Sequence, residues 1–223
     1  MEKFTQIAID GPAAAGKSTI AKIVAEQLGF VYVDTGAMYR AITWAAIHRG
    51  ITVEKEEAVA NLLNETTIKL VPGGKVLVND ADVTDAIREP AVTSMVSKVA
   101  TYQAVRAELK NRQAQLAESA NVIMDGRDIA TNVLPTADFK FFMIADPRVR
   151  AERRYKENIA RGIPADIDAL EQEIRDRDEM DANREHAPLQ QADDAILLDT
   201  SHMTIDEVVA EIVRIVTTEN KLS

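Results

Sequence analysis

The stretch Asp10-Gly11-Pro12-Ala13-Ala14-Ala15-Gly16-Lys17-Ser18 constrains this chain more than any other. Residues 7–9 form an apolar run that reads as a buried strand, and Ile20, Ile23, Val24 and Leu28 follow at helical spacing. Residues 11–18 between them fit G-x-x-x-x-G-K-[ST], and a strand, a glycine loop and a helix in that order make a phosphate site. Gly11 and Gly16 reach backbone angles that a Cβ closes. The loop can then turn its N–H groups inward, and the helix adds its positive N-terminal end. Lys17 is expected to reach β- and γ-phosphates, and the Ser18 hydroxyl to ligate a magnesium ion. The predicted nucleotide-binding set is Gly11, Pro12, Ala13, Ala14, Ala15, Gly16, Lys17, Ser18 and Thr19. A plain Gly/Ala-rich turn before a helix is the alternative, and Lys and Ser in register argue against it.

At 223 residues and 46% hydrophobic, the chain can build one sizeable core with small appended pieces. It has no cysteine, which excludes structural disulfides and thiolate metal sites, and only three histidines, which disfavours a histidine metal centre. Residues 1–10 run straight into a strand without the basic start and longer apolar run of a signal peptide. No stretch approaches the roughly 20 apolar residues of a membrane span. Neither membrane association nor a targeting segment is expected, and a cytoplasmic location is. With a net charge of −10 the chain is a poor general binder of nucleic acid, so any anion it handles must meet locally collected arginines.

Further apolar runs at 30–33, 122–124, 139–144 and 195–198 read as strands, and segments 37–48, 54–64, 90–99, 104–116, 205–216 and the stretch from Ile167 read as helices. Asp34-Thr35-Gly36 punctuates the second strand. Asp146 and Pro147 cap and start a helix that Gly162-Ile163-Pro164 interrupts. Short alternating runs over 66–83, turning at Pro72-Gly73-Gly74 and Asn79-Asp80, read as an antiparallel meander, an insert of about 20 residues. The expected fold is α/β: a five-stranded parallel sheet of P-loop NTPase type, flanked by helices, with a small antiparallel β insert and a helical lid. Ligands of such sheets bind at the carboxyl ends of the strands.

Several constellations fall at those ends. Arg40, one to two turns into the helix after Asp34, can hold a phosphate bidentately. Asp125 closes a buried strand, where an acid would hold a magnesium-bound water, with Arg127 for a phosphate and Asp128 as an acceptor facing the same cleft. Arg148, Arg150, Arg153, Arg154, Lys156 and Arg161 form a cationic run in an acidic chain, which is either a solvated helix face or a hinged lid that brings arginines to a transferring phosphoryl group. Arg177, Asp181 and Arg184 share a helical face, as a ligand-binding set or as a salt-bridge ladder. Ser97 and Arg106 by themselves read as surface residues.

Taken together, residues 11–18, Asp34-Thr35-Gly36-Ala37-Met38-Tyr39-Arg40, Asp125-Gly126-Arg127-Asp128, and Asp181-Ala182-Asn183-Arg184 ahead of Ala187-Pro188-Leu189 resemble the bacterial cytidylate kinases, P-loop nucleoside monophosphate kinases. The resemblance covers nearly the whole chain, the antiparallel insert included. It implies transfer of the ATP γ-phosphoryl group to CMP or dCMP with Mg²⁺. By the same resemblance Thr35, Arg40 and Arg127 hold the acceptor phosphate, and Ser97, Arg106 and Asp128 read the cytosine. Asp181 and Arg184 contact the acceptor sugar and neighbouring groups. Lys17, Arg127 and the lid arginine Arg154 surround the transferred group, and Ser18 and, through water, Asp125 hold the metal. Thr35 is often serine in relatives, and Met180 stands where some carry an arginine. The implied division is a core of 1–34, 88–147 and 167–223, a monophosphate-binding part of 35–87 with the insert at about 66–83, and a lid of 148–166. A monomer working on small nucleotides is expected. A kinase for UMP, AMP or a metabolite hydroxyl is one rival. A nucleotide switch is another, but the D-x-x-G and N-K-x-D motifs of GTP switches are missing.

Overall fold

A computed structural model describes residues 4–71, 73–160 and 162–219; Pro72 of the expected turn and Arg161 of the cationic run lie outside the described residues. The chain enters on β1 (Gln6–Asp10), passes through the glycine loop into α1 (Lys17–Leu28) and returns on β2 (Val31–Asp34). Helix α2 (Thr35–His48) follows β2 with no loop between them, and α3 (Glu56–Asn64) leads to β3 (Ile68–Val71), β4 (Lys75–Val78) and β5 (Ala81–Asp82). Helices α4 (Pro90–Thr93), α5 (Val96–Val99) and α6 (Gln103–Leu116) bring the chain back to β6 (Val122–Gly126). A π-helical turn, Ile129–Val133, precedes β7 (Phe139–Ile144), and α7 (Pro147–Ala160), α8 (Ile167–Ala182), β8 (Ile196–Asp199) and α9 (Ile205–Glu219) complete the fold.

The expected five-stranded sheet is present, parallel throughout, in the order β2-β6-β1-β7-β8. β1 lies at its centre because Ile7, Ala8 and Ile9 are apolar toward both faces. Ile7 and Ile9 pack with Ile20 and Val24 of α1 and Val208 and Ile212 of α9. Ala8, pointing the other way, packs with Val33, Met124 and Ile129. The chain leaves β1 toward β2 on one side of the sheet and reaches β7 and β8 on the other, so the loop after β1 opens at the switch point where such sheets bind ligands.

The punctuation expected at 34–36 is a helix start instead. Asp34 caps α2, its Oδ1 accepting the Ala37 N–H at 2.7 Å, so Thr35 and Gly36 form the first turn. The helix expected over 90–99 is broken between α4 and α5. There the Thr93 and Ser94 hydroxyls donate back to the Pro90 and Ala91 carbonyls and tighten the turn. The antiparallel insert forms as expected, with Val76 and Val78 packed against apolar residues of α2, α3 and α6. Among the described residues no helix is long and apolar enough to cross a membrane.

Candidate active site

The loop after β1 is fixed by a close approach. At Gly11, with φ +146°, a Cβ would stand 2.0 Å from the Met143 carbonyl oxygen of β7. Gly16 precedes α1 with φ +90°, and Ala14 also takes a positive φ, 57°. Inside this turn the buried Lys17 donates its Nζ to the Pro12 carbonyl at 2.7 Å. Burial, reinforced by nearby Arg127, pulls the Lys17 ammonium down to about 7, while Asp125 and Asp10 act in the opposite sense. Ser18 Oγ donates to Asp125 Oδ2, and the Tyr32 hydroxyl to Asp125 Oδ1, each at 2.8 Å. Burial, with Asp34 close by, pushes the Asp125 carboxyl up to about 6. Asp10, also buried, accepts the N–H groups of Ile129 and Ala130 at 2.9 and 2.7 Å, and its burial raises it to about 6 as well.

Helix α7 backs this loop. Arg150, itself buried, donates to the carbonyls of Ala145 and Ala13 and pairs with Asp178 of α8 at 2.6 Å. Arg153 donates to the carbonyls of Ala15 and Thr200. Arg148 instead pairs with the exposed Asp168 and with Glu171. Arg154 lies on the cleft wall, 3.8 Å from Glu173. The cationic run is thus neither a uniform solvated face nor a uniform row of cleft arginines.

Opposite the loop stands a second set of cations. Arg40 Nη2 pairs with Asp34 at 2.9 Å and Arg127 Nε with Asp181 at 2.8 Å, and Arg184 pairs with Asp181 from the turn just past α8. Burial opposes the Asp181 charge, but Arg127, Arg184 and Arg177 outweigh it and hold the carboxyl below its ordinary range. Arg177 belongs to this set although the resemblance assigned it nothing. Burial, with Arg127 beside it, lowers it to about 10. Its Nε and those of Arg40 and Arg184 are buried without a hydrogen-bond partner among the described residues. Orphaned guanidinium donors lining one cleft suit an anion. A salt-bridge ladder along α8 does not describe this set, because Asp181 takes Arg127 from the end of β6.

Beyond the arginines the cleft ends in a polar corner. Arg106 is 6% exposed, so its reading as a surface residue is corrected: Nη2 meets Asp128 Oδ2 at 2.5 Å and Nη1 donates to the Ala100 carbonyl at 3.1 Å. Its guanidinium also lies 5.8 Å from the Tyr39 ring centre. Ser97 is half-buried on the same wall, not a free surface residue. No local pattern marks Arg106, because its partner lies on another element.

One cleft of about 1110 Å³ gathers Ala13 to Thr19, Thr35, Arg40, Ser97, Arg106, Asp125, Arg127, Asp128, Arg154, Asp181 and Arg184. Gly11 and Pro12 are not on its wall: one makes room for β7 and the other seats Lys17. From 35–87 the wall takes Thr35, Gly36, Tyr39 and Arg40, while the stretch from Arg88 to Ala100, placed in the core by the implied division, supplies Arg88, Ser94 and Ser97. Among the described residues no group of three or more acids and histidines could cage a metal. The Ser18–Asp125 pair fits a magnesium ion that keeps waters and draws its other ligands from phosphates.

A glycine loop of this kind cradles the phosphates of a nucleoside triphosphate, and here it shares a cleft with a second cluster of arginines. That arrangement defines the class of P-loop kinases, enzymes that transfer phosphate. The comparisons narrow the class. The family profile described as cytidylate kinase matches residues 7–218. The cytidylate kinase of Geobacillus thermodenitrificans (strain NG80-2) is 53% identical over 219 residues, covering 97% of this chain and 98% of that protein. The cytidylate kinase of Ligilactobacillus salivarius (strain UCC118) is 50% identical over 223 residues, covering 99% and 100%. The chain belongs to the cytidylate kinase family. Among solved structures, an uncharacterized protein from Eubacterium ventriosum ATCC 27560 superposes with a TM-score of 0.54 at 12% identity, covering 97% of this chain and 99% of that one, a likeness of fold alone.

Proposed function

We propose that this kinase transfers the γ-phosphoryl group of ATP to CMP and dCMP, giving the diphosphates and ADP, as a cytoplasmic monomer on free nucleotides. The observation that carries the reading is one cleft that gathers the loop around Lys17 together with Arg40, Arg127, Arg177 and Arg184.

Residues 13–19 bind the triphosphate, and Lys17 moves from the Pro12 carbonyl onto its β- and γ-oxygens. Ser18 and, through water, Asp125 would hold a magnesium ion. Bound magnesium neutralises charge on the phosphate oxygens. Thr35, Arg40 and Arg127 seat the acceptor phosphate, and Asp181 and Arg184 its sugar and neighbouring groups. An acceptor phosphate oxygen is already a nucleophile, so no strong base is required. Catalysis is then alignment plus charge stabilisation by Lys17, Arg127 and Arg154. Closure of the 148–166 segment excludes water and so protects ATP from hydrolysis.

The polar corner selects the base. An ionised carboxylate only accepts hydrogen bonds, so Asp128 welcomes the N4 amino group of cytosine and repels the O4 of uracil. Arg106 and Ser97 donate to O2 and the unprotonated N3, where the N3–H of uracil would meet a donor. Two such mismatches give on the order of a hundredfold preference for CMP over UMP in kcat/KM. ADP release measured across CMP, dCMP, UMP, AMP and GMP tests the reading. A wild-type preference for UMP or AMP overturns it.

A further inference from the structure

Asp128 takes both of its side-chain donors on one oxygen. Its Oδ2 takes the Arg106 Nη2 and also accepts the Nδ2 of Asn132 at 2.9 Å. Asn132 lies one turn further on in the π-helical turn, and its backbone N–H donates to the Asp128 carbonyl at 2.9 Å. The amide cannot face either way round. Lys110 of α6 donates its Nζ to Asn132 Oδ1 at 2.9 Å. An ammonium only donates, so the amide oxygen must point at Lys110 and the NH₂ at Asp128. With both donors on Oδ2, Oδ1 is left without a protein partner among the described residues, on a side chain that lines the cleft.

The geometry points to Asn132, oriented by Lys110, as a specificity-determining positioning residue: it aims the free oxygen of Asp128 at the base and keeps that carboxylate an acceptor. Neither Asn132 nor Lys110 lines the cleft, so both act through Asp128. The inference rests on the base-reading role of Asp128 proposed above. Without Asn132 the carboxylate keeps Arg106 but can rotate about that contact. Its free oxygen then presents itself less often to an amino group, and the penalty on a carbonyl at the same place shrinks. Sequence spacing alone does not reveal the relay, because Lys110, Asn132 and Asp128 come from two elements.

The test is the ratio of kcat/KM for CMP to that for UMP in Asn132→Ala, Asn132→Asp and Lys110→Met, with Asp128→Ala alongside. In Asn132→Ala the ratio should narrow roughly three- to tenfold, the scale of one ordinary hydrogen bond, because the contact reaches the base only through Asp128. The loss should appear in the KM for CMP, with the KM for ATP unchanged within twofold. Asn132→Asp should narrow it further, since it sets an oxygen against Asp128 Oδ2. A residue needed only for packing would give the reverse order, because aspartate matches asparagine in shape and alanine does not. Lys110→Met should narrow the ratio least, and it carries the test if the Asn132 variants do not fold. An unchanged ratio in the folded Asn132 variants, or a milder effect of aspartate than of alanine, overturns the inference. If the Asn132 variants do not fold, an unchanged ratio in Lys110→Met overturns it. An unchanged ratio in Asp128→Ala instead overturns the base reading beneath it.

Discussion

The two ends of the cleft are held in opposite ways. At the donor end the side chains are already paired, Lys17 with the Pro12 carbonyl and Ser18 with Asp125, and the Ala13 and Ala15 carbonyls take Arg150 and Arg153. At the acceptor end the arginines pair with Asp34 and Asp181, yet Arg40, Arg177 and Arg184 each keep a buried Nε–H without an acceptor. On the proposed function a triphosphate exchanges bonds with Lys17 and Ser18, whereas an acceptor phosphate gains bonds from donors already in place. Preorganisation of this kind lowers the cost of ordering side chains on binding. On the proposed function the acceptor end offers ready donors, and the donor end exchanges side-chain bonds on binding.

The largest expected effect lies at the donor end. Lys17→Ala should lower kcat roughly 10²- to 10³-fold, the usual scale for losing one group that stabilises developing charge. Circular dichroism and CMP binding should stay near wild type. Near-normal turnover would break the distinction between the ends, because the loop would then need no rearranging cation.

A second test uses buried carboxylates, which lean opposite ways with pH. Asp10 is raised from 3.8 to about 6 by burial, so between those values the native state holds a proton that the unfolded chain has lost. Its contribution to stability is present below 3.8 and is lost as pH rises to about 6, by about 3 kcal/mol. Asp181 is held below 3.8 by its arginines despite burial, so its contribution is present above that value and is lost as pH falls through its folded value. Urea unfolding of wild type, Asp10→Asn and Asp181→Asn across pH 3–7 should give difference curves of opposite slope. Parallel curves would show that the two ends are not electrostatically distinct.

Smaller again is the effect on the acceptor. Arg40→Ala or Arg127→Ala should raise the KM for CMP roughly 10- to 150-fold, from the loss of about 1.5–3 kcal/mol in charge-assisted hydrogen bonds. Isothermal titration should find ATP binding changed far less. Equal losses for both nucleotides would remove these arginines from the acceptor site.

The smallest effect concerns α7 and the turn after it. Amide exchange there should slow roughly tenfold when both nucleotides, or a bisubstrate analogue, bind, an opening cost raised by about 1.4 kcal/mol. Unchanged exchange would leave Arg154 as part of a static wall.

Features written in contiguous residues were legible before any coordinates. The glycine loop, the apolar strands and the alternating insert each follow from a local period, and all were found near their expected limits. What escaped depends on partners far along the chain. Arg106 looks like any helix arginine until Asp128 is brought beside it by the return of β6. Arg150 and Arg153 read as lid cations, but the docking of α7 turns them toward carbonyls of the loop. Gly11 was legible as a special backbone position, while the reason, the pressure of the Met143 carbonyl, belongs to β7. Thr93 and Ser94 broke a helix through hydroxyls whose competition with the backbone a hydrophobic pattern does not record.

The central place of β1 has a consequence for the order in which the molecule comes into being. Its strand partners begin only at Val122 and Phe139, so the glycine loop is translated well before the strands that shape it. Until β7 arrives, no carbonyl presses on Gly11, and the residues after it are an unshaped tether. Pairings between segments so distant in the chain make slow folding steps. Until both partner strands have emerged, a nascent chain lacks the shaped loop that its nucleotide needs.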